Sequence, residues 1–281
     1  MVKQTLYAHM VDMGGIPVRQ PLPTANIEQI DPFLLLHHHI GKFKENTDSK
    51  DVGVGPHPHR GFSPVTFIYQ GDVHHRDSRN NSSVVKAGGV QWMNAGMGII
   101  HSERPSSELT SMGGTQEIIQ LWINTPQSGK MNQPEYQAFQ NEDLPKLSEQ
   151  LSVVAGKQDK ISGPAKSEMP IAAVMGTIKA GEKITLNSPY QHSMLYILNN
   201  AVRLEGHGLV EQHNLVVLEE DTNKISLEAE TNTKVLFLSA DPLNEPLATY
   251  GPFVMNSQSE IMEAMRDYQM GKMGVLIEEF E

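Results

Sequence analysis

Cysteine is absent from all 281 residues, which excludes both a disulfide framework and thiolate metal ligands. Long apolar runs are missing as well, and no stretch approaches the roughly 18 residues of a membrane-crossing helix. The opening residues MVKQTLYAHMVDMGG carry neither the apolar core nor the small-residue cleavage site of a secretory signal. The sequence therefore predicts a cytoplasmic protein with no membrane partner. Positive charge is scarce: 22 Lys and Arg face 33 Asp and Glu, for a formal net charge of −11. No stretch resembles the basic stripe that phosphate binding needs, so no direct nucleic-acid partner is expected.

What is present is a folded, turn-rich composition, with 38% hydrophobic residues, 23 Gly and 17 Pro. The acidity is uneven. Residues 1–140 hold 11 basic against 12 acidic side chains, and the remainder holds 11 against 21. Histidine is skewed the other way, with nine of the twelve at or before His101.

Short β-branched and aromatic runs recur between turn residues, among them SPVTFIYQG, EIIQLWINTP, HSMLYILNN and TKVLFLSADP. That punctuation predicts an all-β fold, a sandwich or barrel of antiparallel strands. The polar segment from Asn141 to Pro170 reads as a connection holding at most one strand. It divides the chain into an N-terminal domain, 1–140, and a C-terminal domain, 141–281. The two halves share a rhythm of strand, turn, strand, as a duplicated small barrel would. One helix is expected, in SQSEIMEAMRDYQMGKMG: Ser257 and Glu260 form a capping box. Ile261, Ala264, Met265 and Tyr268 recur at helical spacing, and Gly271 ends the run.

The chemistry concentrates in GPHPHRGFSPVTFIYQGDVHH, Gly55 to His75. On a strand, residues i and i+2 share a face, so His57 and His59 point the same way. His101 and Glu103, after the glycine-rich MNAGMG, repeat the spacing. If the two pairs lie on adjacent strands, three imidazoles and one carboxylate meet, a set suited to one divalent ion: iron, nickel, copper, zinc or manganese. His37, His38 and His39 are read as structural or surface residues. His74 and His75 are read as exposed.

These motifs resemble the pirin family of the cupin superfamily. The likeness rests on DPFLLL at 31–36, HPHRGF at 57–62, GGVQWMNAGMGIIHSE at 88–103 and GPFVMNSQSEIMEAMRDYQMGKMG at 251–274. It implies a bicupin: two antiparallel jelly-roll barrels packed face to face, with a short C-terminal helix and a metal only in the N-terminal barrel. It implies His57, His59, His101 and Glu103 as ligands, and iron(II) as the first expectation. His192 has no H-x-H partner, so the second barrel is expected to be metal-free.

The resemblance also implies an activity. Some pirins are similar to quercetin 2,3-dioxygenases, oxidoreductases that open a flavonol with dioxygen and release carbon monoxide. Glu103 would be the catalytic base. The alternative is a non-enzymatic regulator that binds a protein partner, a transcription factor or a metabolic enzyme, with iron as redox sensor. Two departures from the family pattern bear on substrate preference, not on ligation. His37, His38 and His39 stand where an acidic pair is common, and Ser63 stands where an acidic residue is common.

Overall fold

The computed structural model describes residues 1–279. By packing the chain divides into two units. Among the described residues, one comprises 1–39 and 142–243 and the other 40–141 and 244–279. The central division falls at residue 141/142, and each terminal segment packs with the opposite half.

In the unit containing the histidine motifs, eight strands matter. They are β1 (Val54–His59), β2 (Phe62–Gln70), β3 (Asp72–Asp77), β4 (Ser82–Lys86), β5 (Val90–Asn94), β6 (Ile99–Arg104), β7 (Gly114–Asn124) and β8 (Glu135–Phe139). One sheet runs β1-β6-β3-β4, and β8-β5-β2-β7 are consecutive neighbours in a second. Ladder pairing is antiparallel throughout. The strands form where β-branched and aromatic residues alternate. Ile68 of β2, Val73 of β3 and Val85 of β4 pack together, with Ile118 against them. Met93, Ala95 and Ile99 form a second cluster, backed by Tyr136.

The other unit includes a seven-stranded and a four-stranded sheet. Its larger one runs through Val2–Tyr7, Asn214–Leu218, His192–Ile197, Thr233–Ala240, Ile171–Ile178, Leu151–Ala155 and Lys146–Ser148 in that order. The four-stranded sheet faces the same core, which is filled by Leu195, Ile197, Val216, Val235 and Phe237 among others. Leu151–Ala155 is buried along its whole length, so the polar segment from Asn141 contributes structural strands rather than a plain connection. Its apolar core, LSVVA, is short enough to be masked by flanking polar residues.

The expected helix is present as α2, Gln258–Gln269, after a short α1, Ser107–Met112. The Ser257 hydroxyl accepts from Glu260 N over 3.3 Å, and the Glu260 carboxylate accepts from Asn256 N over 2.9 Å. Ile261 and Ala264 are buried, but the third buried position is Asp267, while Tyr268 is 42% exposed. Helix α1 has too little apolar periodicity to be read from sequence. It depends on its ends: Ser106 accepts from Leu109 N over 3.1 Å, and Gly113 leaves it at φ +71°. Among the described residues no helix is long and apolar enough to cross a membrane.

Candidate metal centre

Strands β1 and β6 are antiparallel neighbours, with His57 directly opposite His101 and His59 opposite Ile99. The sequence spacing of one pair therefore meets the other at a register that only the ladder sets. Nε2 of His57 lies 3.0 Å from Nε2 of His59 and 3.0 Å from Nε2 of His101. His57 Nδ1 bonds the Gly55 carbonyl over 2.8 Å. A carbonyl only accepts, so Nδ1 carries a proton, and in the neutral ring Nε2 then presents a bare lone pair. One lone pair cannot serve two neighbouring imidazoles well, whereas a cation among the three nitrogens would satisfy them all. Burial pushes His59 and His101 well below the ordinary histidine value, and the neighbouring His57 adds to the effect. Neutral imidazole is the form that binds a metal.

Among the described residues the group close enough to share an ion is His57, His59 and His101. Glu103 lies two residues further along β6 and outside that group. Pairing of β6 with β1 shifts register between His101 and Glu103, so Glu103 faces Val54 rather than the next residue of a regular ladder. Its buried carboxylate is held from the opposite sheet. Thr66 Oγ1 donates to Oε1 over 2.7 Å, Gln91 Nε2 also donates to Oε1, and Gln120 Nε2 donates to Oε2 over 2.6 Å. Thr66 is the register partner of both Gln91 and Gln120. These three donors therefore form one straight row across β5, β2 and β7.

Sequence reasoning did not find that row. Its signal is a polar residue in the middle of an apolar triplet, V-Q-W, V-T-F and I-Q-L. Counting the carboxylate's lone pairs shows what the row does. Two on Oε1 and one on Oε2 are occupied, leaving one on Oε2 for a metal bond or a proton.

His75 corrects the expectation of exposure. It is 1% exposed, lies opposite Glu103 on β3, and stacks on Tyr136 at 3.9 Å and 7°. Its Nε2 bonds Asp77 Oδ2 over 3.0 Å. Burial pushes the Asp77 carboxyl up, but hydrogen bonds from His75, Asn81 and Arg79 outweigh it and hold the group down. His59 meets Phe62 and Trp122 edge-on, at 4.9 and 5.4 Å. Two glycines in the ligand loops are there for space. Gly61 has φ +83° and Gly96 φ +46°, and a Cβ would come within 2.0 Å of Val254 O or 2.1 Å of Asn132 O.

Four histidines outside the cluster have structural partners. His37 bonds Gln20 over 2.7 Å, His38 bonds Tyr196, and His39 bonds the Pro17 carbonyl. His192 bonds the Asp31 carbonyl.

Three converging imidazoles on neighbouring strands of a small antiparallel barrel define a cupin-type centre able to hold a metal. The Pirin family profile matches residues 15–123, and the Pirin C-terminal cupin domain matches 173–274. This chain belongs to the pirin family. A Pseudomonas aeruginosa protein provisionally named a quercetin 2,3-dioxygenase is 38% identical over 92% of both chains. Pirin-like protein 2 of Arabidopsis thaliana is 34% identical over 98% of this chain and 85% of its own. Among solved structures, quercetin 2,3-dioxygenase from Acinetobacter baumannii has a TM-score of 0.89 at 38% identity, over 98% of this chain and 99% of that one. A bacterial pirin from Escherichia coli in complex with nickel(II) shares the fold, with a TM-score of 0.67 at 19% identity over 86% and 100%.

Proposed function

We propose that this protein is a metal-dependent dioxygenase that opens the heterocycle of flavonols such as quercetin, with release of carbon monoxide and a depside product. The observation that carries the reading is the three-imidazole cluster beside a buried carboxylate with one free lone pair. Likeness to proteins named quercetin 2,3-dioxygenases, over nearly the whole chain, supports it.

His57, His59 and His101 would hold the ion, iron(II) first and nickel, copper, zinc or manganese as alternatives, with Glu103 Oε2 as the fourth ligand. When bound, the metal raises the acidity of a coordinated hydroxyl and brings dioxygen to the substrate. Glu103 would act as base once its Oε2 has left the ion: the 3-hydroxyl O–H bond breaks, and its proton goes to the one Oε2 lone pair that Gln120 does not occupy. Thr66 and Gln91 stay on Oε1 and keep the carboxylate oriented. The half-buried Trp122 stands beside His59 and offers aromatic surface to a flat ring system, while the fully buried Phe62 backs both rings.

The test is metal analysis of the protein, followed by quercetin consumption and carbon monoxide release with each candidate metal restored. Metal-dependent turnover supports the dioxygenase. A metal-replete protein that leaves quercetin intact favours the pirin-type regulator with a protein partner.

A further inference from the structure

Each pair of candidate ligands is followed at once by an arginine: Arg60 after His59, Arg104 after Glu103. Both arginines end on carboxylates of one distant segment, residues 252–278. Arg60 is 2% exposed, and its Nη2 donates to Asp267 Oδ2 over 2.9 Å while its Nε donates to the Met97 carbonyl over 2.6 Å. Its backbone is tied to the same segment, Arg60 N to Pro252 O over 3.3 Å and Val254 N to Arg60 O over 3.0 Å. Lys130, also fully buried, joins the Gly61 and Val254 carbonyls with one ammonium, at 2.7 and 3.1 Å.

The second ligand strand is held in the same manner. Ser78 Oγ donates to the Met273 carbonyl over 2.7 Å and accepts from Ile100 N over 3.1 Å. Arg104 places Nε and Nη2 on the Glu278 carboxylate at 2.8 and 2.9 Å, and its Nη1 reaches the Lys50 and Val52 carbonyls at 2.8 Å each. Residues adjoining three of the four candidate ligands, His59, His101 and Glu103, are therefore fastened to one strap.

We propose that residues 252–278 are a strap that positions the metal centre, with Asp267 acting through Arg60 and Glu278 acting through Arg104. The physical reason is that β1 and β6 meet at a register shift between His101 and Glu103, where ladder hydrogen bonds cannot define the spacing alone. The Arg104 fork on Glu278 supplies the missing constraint, since a planar guanidinium held by two nitrogens fixes its carboxylate in direction as well as distance. Arg60 adds one charge-assisted bond to Asp267 and one to the Met97 carbonyl. The inference rests on the metal-centre reading above.

The test uses the full chain and cobalt(II) alone as probe. Wild type, Glu278→Gln, Asp267→Asn and the double variant are titrated against a competing chelator, and the cobalt absorption bands are recorded. Outer partners of metal ligands contribute on the order of 10–100-fold in affinity. The double variant should weaken cobalt binding by roughly that factor and shift the bands, while circular dichroism keeps the β signature. If Asp267→Asn does not fold, Glu278→Gln decides alone, with weaker binding and shifted bands expected of it. A folded variant that binds within twofold of wild type with unchanged bands overturns the strap and leaves the metal centre standing. Wild type that takes up no cobalt overturns both.

Discussion

The side-chain amide of Gln120 donates to Oε2 of Glu103 over 2.6 Å, from a strand of the sheet opposite the one that carries Glu103. A hydrogen bond to a charged group is worth about 1.5–3 kcal/mol. Gln120→Leu removes it and leaves a buried carboxylate oxygen without that donor. If the bond orients the base, quercetin kcat/KM should fall by roughly 10- to 100-fold, since about 1.4 kcal/mol is tenfold. Steady-state turnover beside metal analysis checks this. Unchanged turnover in a metal-loaded variant would remove Gln120 from the mechanism.

Glu103→Gln keeps an oxygen of similar size but accepts no proton near neutral pH. It should retain much of its metal and lose turnover by roughly the 10²–10⁴-fold of a missing general base. Raising the pH from 6 to 9 should restore part of it, because the flavonol then arrives deprotonated. Full activity in the variant at pH 7 would exclude Glu103 as the base.

Two histidine variants should separate the two units. His59→Ala should abolish stoichiometric metal and leave most of the fold intact, since the strand clusters around Ile68 and Met93 do not include it. His192→Ala should leave metal content unchanged, because the His192 ring bonds the Asp31 carbonyl. Elemental analysis of both decides. A full equivalent of metal in the first, or a lost equivalent in the second, contradicts the assignment.

Burial lowers His37 to about 4 from an ordinary 6.5. Below 6.5 the unfolded chain takes up a proton that the folded His37 refuses. The associated stability is therefore present above pH 6.5 and is lost as pH falls toward 4, by about 3 kcal/mol in total. His59 and His101 act in the same direction, so the whole protein should be acid-sensitive in this window. His37→Gln should reduce the steepness of that loss without abolishing it. Urea midpoints from pH 4 to 7 for both proteins measure the difference, and equal slopes would refute it.

How much was legible follows from which interactions are local. The spacing of His57 and His59, and of His101 and Glu103, is a property of single strands, and so is the capping of α2 by Ser257. The DPFLLL, HPHRGF and GMGIIHSE motifs pointed to the family from the chain alone. His75 was misread because a histidine pair after a turn looks solvent-facing. Its burial comes from Tyr136, sixty-one positions away in sequence and stacked on its ring.

The sequence by itself determined the strand runs, the paired histidines and the late helix, because alternation and helical periodicity are written into neighbouring residues. Only the tertiary structure decided which strands pair and at what register. It set His57 opposite His101, aligned Gln91, Thr66 and Gln120 across three strands, and put Asp267 beneath Arg60. It also sent each terminal segment to the opposite half of the chain. Those arrangements depend on residues up to 207 positions apart meeting in one desolvated space, where each buried charge requires its partner.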